Sequence, residues 1–212
     1  MSDQRTNREN LEAGLEGLGL ALDSNQIEAL AGYHDFLMET NASLNLTGHK
    51  THELSLVNNL LNALGPWRQI HPTKTSADIG TGGGFPGIPL AIALGMGKLT
   101  LIESKQKKCR FLEEACQRFA PEVKVRCDDG NIVREKFQQV MFCGFGTLKK
   151  ILGVSRACLH PKGRVLAWKG SKERTLIEVE ECGIAQQKWE LIPFKVPGLD
   201  AERHLAVWKR GE

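Results

Sequence analysis

Thr75-Ser76-Ala77-Asp78-Ile79-Gly80-Thr81-Gly82-Gly83-Gly84-Phe85-Pro86-Gly87-Ile88-Pro89 joins a short strand-forming run to a Gly-rich turn. Glycine reaches positive φ without a Cβ clash, so such a turn lets the backbone approach a ligand closely. Pro86 and Pro89 fit a helix only in its first turn, where N–H groups have no intrahelical partner. The loop is therefore predicted to be rigid as well as open. Further on, Lys98-Leu99-Thr100-Leu101-Ile102-Glu103 reads as a second strand ending in an acid, the position that holds ribose hydroxyls in nucleoside-binding βαβ units. Phe85-Pro86 replaces the small residues that would present N–H groups to a pyrophosphate, which disfavours a dinucleotide. S-adenosylmethionine, which has no phosphate, is the expected ligand; another nucleoside or a purely structural turn are the alternatives.

From Thr75 onward strands alternate with helices, the pattern of a parallel sheet with crossovers. Strands are expected near 75–79, 98–102, 122–127, 138–143, 163–168, 188–195 and 203–209. The last two form a hairpin around Pro197-Gly198-Leu199-Asp200. Helices are expected over 105–118, 146–159 and 172–182. Before the sheet, Asp23-Ser24 is a helix start, followed by Ile27, Leu30, Ala31, His34, Leu37 and Met38 at helical spacing. Leu54, Val57, Leu61 and Leu64 repeat that spacing up to Gly65-Pro66. Residues 1–70 thus read as a helical cap and 71–212 as the α/β core, together one compact unit. His34, on the apolar face, reads as a core or boundary histidine.

With 212 residues, 41% of them hydrophobic, the chain has enough apolar content for one substantial core. A formal charge of +3 permits RNA binding without arguing for it. The cysteines at 109, 116, 127, 143, 158 and 182 form no CxxC pair, so reduced, buried thiols are expected, with neither a metal site nor a disulfide framework. Met1 to Asn10 is polar and no apolar run approaches membrane-spanning length, which predicts a cytoplasmic protein with no membrane partner.

Leu37 to Thr47, the 80–92 loop, Glu103-Ser104 with Lys107-Lys108 and Phe111-Leu112, Lys169-Gly170, and Glu202-Arg203-His204 together follow one pattern. From about residue 25 to the C-terminus the chain resembles the ribosomal RNA small-subunit methyltransferase G family, also called glucose-inhibited division protein B. The resemblance implies a class I, Rossmann-like methyltransferase with a mostly parallel seven-stranded sheet, helices on both faces and an N-terminal helical cap. It also implies methyl transfer from S-adenosylmethionine to N7 of a guanine in 16S ribosomal RNA, free or in the small subunit. The chain departs from the family pattern at Asn59-Leu60-Leu61-Asn62-Ala63, where the family has His-x-x-Asp-Ser, and at Asp129-Gly130-Asn131, where it has Arg-Ala-Glu. Gln138 stands in place of an Asp, and Cys143 in place of an Arg. These losses raise the alternative of an inactive paralogue that binds cofactor, RNA or a protein partner without turnover. They also predict that a charged pair between positions 138 and 143 is missing from the cofactor rim.

The cofactor candidates are Gly80, Gly82 and Gly84 for backbone approach, Phe85 for packing on the nucleoside and Glu103 for the ribose. Asp128 or Asp129 at the end of the third strand is a candidate acceptor for the adenine amine, or else part of a solvated turn. Gly130, Asn131 and Cys143 complete the expected rim. Asp78 either faces the cofactor or caps the loop amides. On the RNA side Lys107, Lys108 and Arg203 are candidates, and Lys169 is the candidate for positioning the substrate; a solvated face is the alternative for most basic residues. Guanine N7 presents a lone pair without a proton, so no general base is required, and catalysis rests on holding the reacting atoms about 3 to 3.5 Å apart.

Overall fold

The computed structural model describes residues 2–183 and 188–211; Met1, at the head of the polar N-terminal stretch, lies outside them. Helices α1 (Ser2–Gly17) and α2 (Ser24–Leu44) open the chain. Asp23 caps α2 reciprocally: its carboxylate accepts from Gln26 N–H at 2.9 Å while Gln26 Oε1 accepts from Asp23 N–H at 3.0 Å. Such a capping box is worth roughly 1 kcal/mol. Asn45 ends the helix in the left-handed region, at φ 49°. Leu30, His34 and Leu37 are buried, as the spacing predicts, and Tyr33 joins them, while Ile27, Ala31 and Met38 are half-buried at the edges of that face.

The next helical run differs from expectation. It comprises α3 (His52–Ser55), a π-helical turn (Leu56–Leu61) and α4 (Asn62–Leu64). The wider turn rotates the register, so Leu56, Leu60, Leu61 and Leu64 are buried while Leu54 is exposed. Asn59 sits at the widened turn, where its Oδ1 accepts from Thr47 Oγ1 at 2.7 Å and from Ser55 Oγ at 3.2 Å.

The core follows as β1 (Ser76–Ile79), α5 (Gly87–Leu94), β2 (Leu99–Glu103), α6 (Gln106–Phe119), β3 (Lys124–Cys127), β4 (Phe137–Cys143), α7 (Leu148–Cys158), β5 (Leu159–Lys169), α8 (Lys172–Glu181), β6 (Trp189–Val196) and β7 (Leu199–Lys209). The strand order is β3-β2-β1-β4-β5-β7-β6. The first five strands are parallel; β7 is antiparallel to both its neighbours. α7 runs straight into β5, and β7 begins at Leu199, so both strands start four residues earlier than the sequence suggests. The added residues are mostly polar and only partly covered, and the register to the neighbouring strand shifts there, so no alternation of apolar residues marked them as strand.

Alternation along the strands divides the core in two. Met141, Leu166, Trp168, Leu205 and Val207 pack beneath the N-terminal helices, with Tyr33, Leu37 and Leu60. On the other face Val140, Phe142, Val165 and Ala167 pack against α7 residues such as Ile151 and Val154. Trp168 Nε1–H donates to Asn62 O at 3.1 Å, tying the helical layer to the centre of the sheet.

Candidate functional site

The site lies at the carboxyl ends of β1, β2 and β4, where open parallel sheets bind ligands. Pro86 is the N-cap of α5 and Pro89 falls in its first turn, so neither proline removes a helical hydrogen bond. The loop from Gly80 to Gly84 is held from three sides. Asp78 Oδ2 accepts from Thr81 Oγ1 at 2.6 Å and from Gly87 N–H at 2.9 Å. Glu103 Oε2 accepts from Gly82 N–H at 3.0 Å, and its Oε1 from Lys105 N–H at 3.0 Å. Tyr33 Oη–H, reaching in from α2, donates to Gly83 O at 2.7 Å.

Gly82 carries the ligand-binding geometry. Its φ is +59°, and a Cβ there would meet only Lys108 Nζ at 3.9 Å and Gly80 O at 4.0 Å. The backbone is therefore bare on its outer side while its N–H is bonded to Glu103 on the inner side. At Gly80, by contrast, a Cβ would come within 2.5 Å of the Phe145 ring, which lies over the loop from the far side.

Phe85 and Gly130 take other roles than expected, whereas Asp78 and Asp129 adopt the second of the two readings the sequence offered for each. Asp78 is fully enclosed, so it caps the loop and does not face a ligand; its Oδ1 has no hydrogen-bond partner. Burial pushes its carboxyl up to about 7, against the opposing effect of the bonds from Thr81 and Gly87. Phe85 is buried edge-on against Tyr33, with ring centroids 5.7 Å apart, and supports the loop from beneath. Asp128 is paired with Arg126 at 2.7 Å. Asp129 Oδ1 accepts from the N–H and the side-chain amide of Asn131, each at 2.8 Å, forming a turn on the exposed side of the site. Gly130 is a packing glycine, since a Cβ would sit 2.5 Å from Ile79 Cγ2.

Cys143 ends β4 on the cap side, and burial, with Asp78 nearby, pushes its thiol up to about 12. Gln138 stands near the opposite end of the same strand, about 17 Å away at ordinary strand rise. Its Oε1 accepts from Thr75 N–H at 3.3 Å. No charged pair between 138 and 143 is possible, so none is missing.

Lys169 is also a correction. Its Nζ donates to Gly146 O at 2.8 Å and pairs with Glu178 at 2.6 Å, leaving the side chain one-tenth exposed. It is tied to the loop after β4 and is not a free cation facing RNA phosphates. Lys107 is exposed and Lys108 half-buried beside Gly82, while Arg203 is half-buried, with His204 Nδ1 bonded to Gly170 O at 3.0 Å. Two cysteines overturn the expectation of free thiols: Cys109 and Cys127 form a disulfide between α6 and β3, with Cα atoms 5.7 Å apart. Among the described residues no cluster is placed to hold a metal ion, and no helix is long and apolar enough to cross a membrane. His34 is buried as expected; burial and then His52 lower it to about 4.

Tyr33, Phe145 and Glu178 escaped the sequence reading. Tyr33 left a faint signal as the chain's one tyrosine, on the apolar face of a helix, where its hydroxyl needs a partner.

A seven-stranded sheet with this order, a Gly-rich loop after β1 and an acid ending β2 together define a class I methyltransferase. Solved structures agree on the fold: a methyltransferase from Pyrococcus furiosus superposes with a TM-score of 0.56 at 20% identity, covering 87% of this chain and 98% of that one. A predicted O-methyltransferase from Agrobacterium tumefaciens gives 0.54 at 20% identity, over 72% and 80%. The profile of the rRNA small subunit methyltransferase G family matches residues 26–206, and the chain belongs to that family. Ribosomal RNA small subunit methyltransferase G of Cupriavidus necator is 31% identical, covering 99% of this chain and 97% of its own. The Chromobacterium violaceum protein of the same name is 33% identical, over 92% and 94%.

Proposed function

We propose that the protein transfers a methyl group from S-adenosylmethionine to N7 of a guanine in 16S ribosomal RNA of the small subunit. The observation that carries this reading is the bare outer side of Gly82 with its N–H bonded to Glu103 at the end of β2. A ligand of that shape lays its nucleoside along the loop. Glu103 retains lone pairs beyond those used by Gly82 and Lys105 N–H, and these accept from ribose hydroxyls. Asp129, at the exposed turn after β3, flanks the adenine end. When bound, S-adenosylmethionine supplies an electrophilic methyl group on a sulfonium.

The carboxylates at the loop support an acceptor without a proton to lose. Asp78 is enclosed and Glu103 holds two backbone amides, so both are committed to shaping the site. A site organised by positioning suits guanine N7, whose lone pair attacks directly. Lys107, Lys108 and Arg203 face RNA phosphates in this reading. The family match over 26–206 favours turnover over a purely binding role.

The test uses small subunits from a strain lacking this gene, incubated with the protein and labelled S-adenosylmethionine, followed by nucleoside analysis of the 16S RNA. One 7-methylguanosine per subunit is expected. Methyl incorporation at another atom removes the N7 assignment, and cofactor binding without incorporation removes the catalytic reading.

A further inference from the structure

The loop 144–147 between β4 and α7 carries Phe145 between two glycines, Gly144 at φ +66° and Gly146 at φ +131°. A segment so built has few conformational limits of its own. Yet Phe145 is set closely on the cofactor loop, with its ring 2.5 Å from where a Cβ on Gly80 would stand. Packing on Phe142, at a centroid separation of 5.1 Å, and Lys150 Nζ 4.6 Å from the ring centre, hold it from the other side. What fixes the backbone around it comes from α8. Glu178 Oε2 accepts from Leu148 N–H at 2.8 Å and pairs with Lys169 Nζ at 2.6 Å; Lys169 Nζ donates in turn to Gly146 O at 2.8 Å.

We propose that Glu178 is a positioning residue for the cofactor site, clamping the Gly146 and Leu148 backbone through Lys169 and so holding Phe145 against Gly80. The carboxylate never touches the ligand. It acts through one ammonium and two backbone groups, and removing either charged partner leaves the other poorly compensated in a mostly enclosed place. Lys169 thereby serves the cofactor loop rather than the RNA. The proposal rests on the reading of the 80–84 loop as the S-adenosylmethionine site, and its test separates the two.

Binding of S-adenosylmethionine and S-adenosylhomocysteine is measured by calorimetry on wild type, Glu178→Ala, Glu178→Gln, Lys169→Met and Phe145→Ala, with amide exchange followed over 144–148. Glu178→Ala is expected to weaken binding about tenfold, the equivalent of about 1.4 kcal/mol, and to speed exchange at Leu148. Glu178→Gln keeps an acceptor for Leu148 N–H and loses the ion pair, so it falls between wild type and Glu178→Ala. In a Phe145→Ala background Glu178→Ala is expected to have no further effect, because the two act in series. If Glu178→Ala fails to fold, Lys169→Met breaks the same clamp from its other side and carries the same expectation. Unchanged affinity in both, or effects of Glu178 and Phe145 that simply add, overturns the clamp. A wild-type chain that binds neither ligand overturns the cofactor reading instead, and accelerated exchange at Leu148 still reports on the clamp alone.

Discussion

Asp78 shows how one residue trades stability for loop geometry. Its Oδ2 holds Thr81 and Gly87, while Oδ1 is buried without a partner, and burial raises the carboxyl to about 7. Because the folded pKa lies above the ordinary carboxylate value, the unfolded chain loses the proton first as pH rises. The native state is therefore penalised progressively from about pH 4 to about pH 7, and the penalty levels off above that. Asp78→Asn places an amide oxygen where Oδ2 accepts and an uncharged group where Oδ1 is unpaired. It should flatten the pH dependence and raise stability at pH 8 by about 1 to 3 kcal/mol, as read by urea unfolding across that range. A second residue-scale expectation concerns Cys143, whose thiol is raised by burial and then by the charge of Asp78, and which lies at the far end of β4 from Gln138. Cys143→Arg puts a cation at a position that feels the charge of Asp78 and should lower the Asp78 pKa, whether or not Gln138 is changed. A carboxyl titration by NMR that requires the second substitution contradicts this geometry. At the loop, Gly82→Val puts a branched side chain on the bare face at φ +59° and should abolish binding of S-adenosylhomocysteine at millimolar concentration.

At the scale of elements, the ends of β2 and β3 and the start of α6 are joined more firmly than their lengths suggest. Asp128 N–H donates to Glu103 O at 2.9 Å, and Cys109 on α6 is bonded to Cys127 on β3 across a sequence separation of 18. One end of the bridge, Cys127, is the strand partner of Glu103, the acid proposed to hold the ribose. Alkylation of the denatured, unreduced protein should therefore tag Cys116, Cys143, Cys158 and Cys182 and spare the other two, by mass. Cys127→Ser should lower unfolding stability by about 2 to 3 kcal/mol, as for closure of a loop of this size. Modification of all six thiols without reductant counts against the bridge. Sequence spacing did not reveal it because a helix and a strand bring these residues together only once α6 packs on β3. The same holds for the clamp at Glu178: α8 was legible as a helix, but nothing in its sequence says which of its acids turns toward β5.

At the scale of the molecule, the helical layer from Leu11 to Ile70 and the sheet share one apolar core, in which Leu30, Tyr33 and Leu60 pack with Leu101, Leu166 and Leu205. We expect the cap and the core to unfold in a single transition. Equilibrium denaturation followed by tryptophan fluorescence and by far-ultraviolet circular dichroism should give coincident curves, and a separate early phase from the cap contradicts this. The sequence alone determined the βαβ unit, its open Gly-rich loop, Glu103 at the strand end and the helical layer before them. Those features rest on local rules: glycine at positive φ, proline in a first turn, apolar spacing along a helix, and an acid closing a strand. Only the tertiary structure decided that Asp78 faces inward, that Phe85 supports the loop from below, and that Lys169 is already paired. It also decided that positions 138 and 143 lie at opposite ends of one strand. The physical reason is that a side chain's direction and charge partner are set by packing between elements distant in sequence, where neither propensity nor periodicity carries information.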